Sequence, residues 1–331
     1  MPRPDSTIQP GPLSGHVALI TGANTGIGLV TACALARQGA HLFITCRNDA
    51  TARTALEQIR SASGNPQVEA LLLDLGDFGS VRACAQKFLD RGLPLQLLVN
   101  NAGLAGSRGL TASGFELAFG VNHMGHFLLT RLLLERIKAS APARIVTVAS
   151  RAHYRASGLD WKALRQPTRS RTGVLEYSNS KLANVLFSAE LGRRLAGTGV
   201  RTYALHPGVV ASDVWRAVPW PIRPLMKLRM ISTEEGARTT LHCASAAALA
   251  GETGLYYDKC QPRTPSDMGR DDVLAAELWQ RSQANSQVSG ACSTPTKRQS
   301  GRCLASRLSR LPLPQPRSST AQGVSGISPA V

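Results

Sequence analysis

No apolar run in this 331-residue chain approaches the roughly 18 residues that a membrane-spanning helix needs. The opening stretch, MPRPDSTIQPGPLSG, sets prolines ahead of any hydrophobic run, which excludes the pattern of a secretion signal or a membrane anchor. The seven cysteines (33, 46, 84, 243, 260, 292 and 303) are odd in number and lack C-x-x-C spacing. A disulfide framework or a zinc site is therefore disfavoured, and reduced thiols in a cytosol are expected. Blocks of five or six like charges are absent. Acids are missing altogether from residue 286 onward, where six of the 38 Lys and Arg residues lie, and aromatics are missing from Ser282 onward. That stretch is rich in Ser, Pro, Gly, Gln and Arg, the composition of a disordered basic tail. Without aromatics to stack bases it supports only nonspecific attraction to nucleic acid.

What is present suits a large globular domain. Apolar residues make up 43% and charged residues 18% of the chain, and the net charge is +17. The sequence divides into a flexible start (1–12), a single domain (13–283) and the low-complexity tail (284–331). Short β-prone runs over 17–20, 42–45, 68–73, 95–99, 144–149 and 201–205 alternate with helical patterns over 50–61, 81–89, 117–139 and 178–195. A further helical pattern begins after Gly28 and stops at Gly39. Such alternation predicts β-α-β crossovers: an α/β, doubly wound Rossmann-type domain whose mostly parallel sheet is covered by helices on both faces. Ligands bind such a sheet beyond the carboxyl ends of its strands, where every motif below falls.

The first strand runs directly into Thr21-Gly22-Ala23-Asn24-Thr25-Gly26-Ile27-Gly28 and then a helix. Glycines there let a pyrophosphate approach the backbone, and the helix N-terminus supplies N–H groups and the positive end of its dipole. A tight turn packed for its own sake would read the same. The second strand ends in Cys46-Arg47, and no acid lies between His41 and Asn48. An arginine at that place favours a 2′-phosphate, hence NADP(H) over NAD(H). Asp74, after the third strand, is placed to accept from an adenine amino group or to cap the next helix. Asn101, Ala102 and Gly103, with Asn100 before them, suit packing against an adenosine ribose.

Tyr177 and Lys181 stand four apart and share one helix face. A lysine charge fixed beside a phenol lowers its pKa from near ~10 toward working pH, as proton transfer to a carbonyl requires. Ser150, at the end of the fifth strand, faces the same crevice.

With these motifs in this order the chain resembles the short-chain dehydrogenase/reductase family. The stretches GFELAFGVNHMGHFLLTRLLL (114–134), RIVTVASRAH (144–153), YSNSKLANVLF (177–187) and HPGVV (206–210) are similar to its retinol dehydrogenase-like branch. The resemblance implies Tyr177 as general acid and base, and Lys181 as the residue that binds the nicotinamide ribose and tunes the phenol. It implies Ser150 as a hydrogen-bond partner of the substrate oxygen, and Asn122 as the holder of a water linking Lys181 to solvent. Pro207, Gly208 and Val209 would frame the nicotinamide carboxamide, with Ser212 standing where the family usually has Thr.

The insertion between Ser150 and Tyr177, with Trp161, Arg165, Arg169 and Arg171, is expected on the rim of the site. Trp215, Trp220 and the apolar residues around them are expected to cover a lipophilic substrate. The histidines His123, His126 and His153 are expected to be structural rather than ligands or bases. The reading is an NADP(H)-dependent oxidoreductase interconverting a lipophilic alcohol and its aldehyde or ketone, cytoplasmic, with no metal and with homo-oligomerisation open. Its alternatives are a carbonyl reductase for steroids or quinones, and a non-catalytic NADP-binding protein with a basic tail for acidic partners.

Overall fold

Strand β1 (Val17–Thr21) is buried at all five positions, as a strand covered on both faces must be. The strands on either side of it are buried at every position but His41. Strands β2 (His41–Cys46), β3 (Val68–Leu72), β4 (Leu97–Asn100), β5 (Ala143–Val148), β6 (Val200–His206), β7 (Leu255–Asp258) and β8 (Gln261–Pro262) complete one sheet in the order β3-β2-β1-β4-β5-β6-β7-β8. All pairings are parallel except β7 with β8. The computed structural model describes residues 11–208 and 231–288, all within one unit that spans Met1–Ala291.

Alternate strand residues feed two cores. Leu19, Phe43, Leu98 and Ile145 face helices α3 (Phe78–Leu89), α5 (Gly125–Ala139), α6 (Val174–Arg194) and α8 (Asp272–Val288). Ala18, Ile20, Leu42, Ile44, Val99 and Val146 face α1 (Gly26–Arg37), α2 (Asp49–Ser63) and α7 (Thr233–Ser245). Strand order reverses between β1 and β4, and a crevice opens at the carboxyl ends of such a pair. There the loops touch: a Cβ on Gly22 would lie 2.8 Å from the Cβ of Ala102. With φ of +66° as well, that position requires glycine.

Strands β7 and β8 and helix α7 are additions to the elements expected from the sequence, and three others depart from the expectation. The helix expected over 117–139 is broken: a short α4 (Leu117–Phe119) passes into a π-helical turn, Gly120–Met124, before α5 begins. Helix α6 starts four residues earlier than expected, after Gly173 in the left-handed region, so Tyr177 lies inside its first turn. Helix α8 runs to Val288, past the domain boundary expected at Gln283. It is anchored there: Arg82 donates to the Ser286 carbonyl at 2.6 Å, Arg165 to the Asn285 amide oxygen at 3.0 Å, and His123 meets the Ser282 hydroxyl at 3.1 Å. Val209, Ser212, the covering segment of residues 214–230 and the tail beyond 288 lie outside the described residues.

Candidate active site

The glycine-rich turn ends at the N-terminus of α1, whose first turn carries no acidic residue. A Cβ on Gly28 would meet the Gly22 carbonyl oxygen at 2.2 Å and the Asn101 amide nitrogen at 2.5 Å. Glycine is thus required by close approach, and the turn is a bare backbone cradle of the kind a pyrophosphate fits. Asn24, Thr25, Gly26 and Ile27 line its partly open or exposed side. Arg47 is exposed just beyond β2, and Asp74 is exposed beyond β3. Asp74 does not cap α3; it accepts from the Gly76 N–H at 2.8 Å, and Asp77 is the cap instead. These donors fit an adenine dinucleotide: backbone N–H groups at the helix start and a cation beside β2. The family in question implies such a cofactor.

Thr21 organises the floor of this cradle. Its hydroxyl oxygen accepts from the backbone N–H groups of Asn101 and Ala102 at 2.9 and 3.0 Å and lies 2.8 Å from His126 Nε2. Asn101 turns its side-chain amide onto the carbonyls of Thr21 and Gly22, at 2.8 and 3.2 Å. The NH2 group of Asn101 thereby fastens β4 to the glycine-rich turn. Gly103 follows, close enough that a Cβ would stand 3.3 Å from Asn122 Oδ1 and 3.5 Å from Lys181 Nζ. The cofactor loop and the chemical residues therefore share one wall.

Asn122 lies in the middle of the π turn, fully buried. Its Oδ1 accepts from the Leu104 N–H at 2.9 Å, while its NH2 donates to the Leu104 carbonyl at 3.0 Å and the Ser180 hydroxyl at 2.9 Å. The widened turn leaves the Asn122 main-chain oxygen to His126, whose Nδ1–H donates to it at 3.0 Å. With that hydrogen on Nδ1, Nε2 accepts from Thr21, so His126 is neutral. Burial depresses its pKa to about 4, which agrees. Both amide hydrogens of Asn122 are used, so a water running from Lys181 would have to donate to the oxygens of this residue. Such π turns recur at functional sites.

Lys181, 3% exposed, donates to the Val148 carbonyl at 2.9 Å, and its Nζ lies 5.7 Å from the centre of the Tyr177 ring. Tyr177 is buried and bonded to the Ser150 hydroxyl. Ser150 Oγ also accepts from the Ala152 N–H at 3.1 Å, opening a 3-10 turn, Arg151–Arg155. Asn122, Ser150, Tyr177 and Lys181 are thus gathered at the ends of β4 and β5. The electrostatics differ from expectation. Burial raises the Tyr177 phenol above its ordinary 10.0, with the Ser150 bond acting the other way, and burial pushes Lys181 from 10.5 down to about 7. Desolvation of both groups outweighs their mutual effect. Pro207 and Gly208 follow the carboxyl end of β6, and position 208 calls for glycine both because its φ is +94° and because a Cβ would lie 2.2 Å from Ile231.

The insertion between Ser150 and Tyr177 makes contacts of its own. Arg165 lies over the Phe115 ring at 4.2 Å and Trp161 under Arg281 at 4.8 Å, so both hold α8 and the loop before α4. Arg169 and Arg171 are exposed. Sequence reasoning missed Thr21, Ser180 and the bridging role of His126. The four-residue spacing from Asn122 to His126 was the available signal. Among the described residues no group of His, Cys, Asp or Glu could hold a metal ion, and no helix is long and apolar enough to cross a membrane.

Comparison with known proteins matches residues 16–161 to the family model described as short chain dehydrogenase. Human retinol dehydrogenase 12 is 46% identical over 274 residues, which cover 81% of this chain and 85% of that protein. The crystal structure of an uncharacterized protein from Mycobacterium paratuberculosis shares 34% identity with a TM-score of 0.67, covering 84% of this chain and 96% of that one. The Pseudomonas aeruginosa RhlG/NADP active-site complex shares 27% identity with a TM-score of 0.59, covering 75% of this chain and 96% of that one.

Proposed function

The chain belongs to the short-chain dehydrogenase/reductase family, in its retinol dehydrogenase-like branch, and from that premise we propose that it interconverts a lipophilic alcohol and its aldehyde or ketone with NADP(H). Oxidoreduction between an alcohol and a carbonyl is the activity of the family. The finer reading rests on one observation: Ser150, Tyr177, Lys181 and Asn122 converge beside the backbone cradle, at the same carboxyl edge of the sheet that carries the exposed Arg47.

The bound dinucleotide supplies or accepts the hydride at its nicotinamide ring. Gly22, Gly26 and Gly28 would admit its pyrophosphate, Arg47 its 2′-phosphate, and Pro207 and Gly208 its carboxamide. Toward a carbonyl substrate, the Ser150 hydroxyl would donate to the oxygen and steady the charge that develops there. Tyr177 would deliver its phenolic proton to the same oxygen, and its hydrogen bond with Ser150 holds the two hydroxyls at one point. Lys181, with a pKa near 7, can take up and release a proton at working pH, so it can resupply the phenol. In oxidation each proton runs the other way. Burial of Tyr177 and Lys181 keeps bulk water from the phenol.

The similarity to a protein named retinol dehydrogenase 12 supports a lipophilic carbonyl. The five described cysteines, all free thiols, suit a reducing compartment, and we place the enzyme in the cytoplasm. NADPH oxidation measured against all-trans-retinal, nonanal, a steroid ketone and a quinone tests the proposal. Preferential turnover of the aldehydes supports it. Preference for the ketone or the quinone would reassign the substrate class, and no turnover of any of them would contradict an enzyme of this kind.

A further inference from the structure

His153 is fully buried three residues after Ser150, and its ring has a hydrogen-bond partner on each nitrogen. Nε2 accepts from the Ser266 backbone N–H at 3.2 Å, which places the ring hydrogen on Nδ1, and Nδ1–H donates to the Ser150 carbonyl at 2.7 Å. The His153 backbone N–H reaches the same carbonyl at 3.1 Å. The ring stands edge-on to Tyr256 of β7, with centroids 4.8 Å apart and planes at 72°. Beside it the Tyr154 hydroxyl donates to the Thr264 carbonyl, and Arg151 pairs with Asp258 at 3.5 Å. The turn that carries Ser150 is therefore bound to β7 and to the chain beyond β8, and among the described residues the imidazole is what runs from that chain to Ser150 itself.

We propose that His153 is a positioning residue for catalysis, which fixes the Ser150 carbonyl against the Ser266 backbone and so aims the Ser150 hydroxyl at the substrate oxygen. This rests on the reading of Ser150 given above. The peptide plane of Ser150 sets the direction of its Cα–Cβ bond, and that hydroxyl also meets Tyr177. A carbonyl held by two donors from one residue leaves the plane little freedom. The link needs a neutral ring, because a protonated Nε2 would face the Ser266 N–H donor to donor. Burial lowers the pKa of His153, in keeping with that state. Ser150 and Ser266 are 116 residues apart, and the imidazole is the connection between them.

The test compares His153→Phe, which keeps a ring against Tyr256 but removes both hydrogen bonds, with His153→Asn, whose amide NH2 can still reach the Ser150 carbonyl. With NADPH bound, hydrogen exchange of the peptide covering residues 150–156 should quicken about tenfold or more in the Phe variant and return toward the parent in the Asn variant. With all-trans-retinal as probe, kcat of the Phe variant should fall about tenfold to a hundredfold, the scale of a small misplacement of a reacting group. KM and NADPH affinity should stay near the parent values while melting temperature falls by the few degrees that two lost hydrogen bonds cost, and Asn should recover most of kcat. His153→Gln, which keeps an acceptor for Ser266 and loses the donor to Ser150, replaces the Phe variant should that one not fold. Parent-like exchange or kcat in these variants would overturn the proposal. So would a loss spread equally over kcat, KM, NADPH affinity and stability, or an Asn variant no better than Phe. Ser150→Ala separates the two levels. If it retains parent turnover, the reading of the site fails, whatever the exchange at His153; if it alone loses turnover, only the role of His153 fails.

Discussion

The Lys181 ammonium donates to the Val148 carbonyl oxygen at 2.9 Å, tying the middle of α6 to the last residue of β5, two positions before Ser150. Asn184, nearly one turn further along α6, donates to the same carbonyl at 3.2 Å. The helix that carries Tyr177 and the strand that presents Ser150 are thereby held in register. The same bond places a cationic group in a nearly dry wall, at a cost to the folded state.

That cost has a pH signature. The folded chain holds Lys181 near 7, against 10.5 for a free lysine, so between these values the unfolded chain binds more protons. The contribution of this group to stability therefore rises with pH across that window. Lys181→Met removes the buried charge and leaves Asn184 on the Val148 carbonyl. In thermal melts without cofactor, the variant should melt above the parent by several degrees near pH 6, at about 2–4 °C per kcal/mol in a domain of this size. The gain should shrink toward pH 10. A gain independent of pH would show that Lys181 does not titrate in this range.

We propose that Arg47, exposed at the end of β2, sets the cofactor preference. Charge-assisted hydrogen bonds to a 2′-phosphate are worth roughly 1.5–3 kcal/mol, or about ten- to a hundredfold in affinity. The parent should prefer NADPH, and Arg47→Asp should erase or reverse the preference, because the carboxylate repels the phosphate and accepts from the ribose hydroxyls of NADH. Titration of both dinucleotides against both proteins measures it. An unchanged ratio would assign the phosphate to another residue.

Strands β1 to β6 and their motifs were readable because strands covered on both faces appear as unbroken apolar runs, and the motifs fall at their carboxyl ends; β7 and β8 were not. Ala18, Leu19 and Ile20 are buried without alternation, as in the expected parallel sheet. The π turn was not readable: it depends on Asn122 gripping Leu104, a contact that no local propensity encodes. The first turn of α6 is not legible because Val174 and Leu175 are exposed and give no helical stripe, while Gly173 begins it through its backbone. Order beyond Gln283 was not legible since the last turns of α8 hold mostly polar residues, and their partners, His123, Arg165 and Arg82, are far away in the sequence. The depressed lysine follows from burial, which spacing alone does not reveal.

Truncation after Arg281 should therefore be harmful. It removes Ser282, Asn285 and Ser286 and with them three hydrogen bonds to the domain, each worth about 1 kcal/mol. A fall in melting temperature of about 5–10 °C is expected. Truncation after Val288 keeps all three contacts and should shift the melting temperature by no more than about 2 °C. Equal melting of the two truncated chains would show that these contacts add nothing to stability.

Tyr177→Phe tests the catalytic assignment most directly, because it deletes one oxygen and keeps a buried ring at the same place on α6. NADPH affinity, measured by fluorescence titration, should remain within about threefold of the parent. Turnover of an aldehyde that the parent reduces should fall by ~10²–10⁴, the contribution of a positioned proton donor. Turnover within a few-fold of the parent, with NADPH still bound, would contradict the account, since the proton would then come from another group.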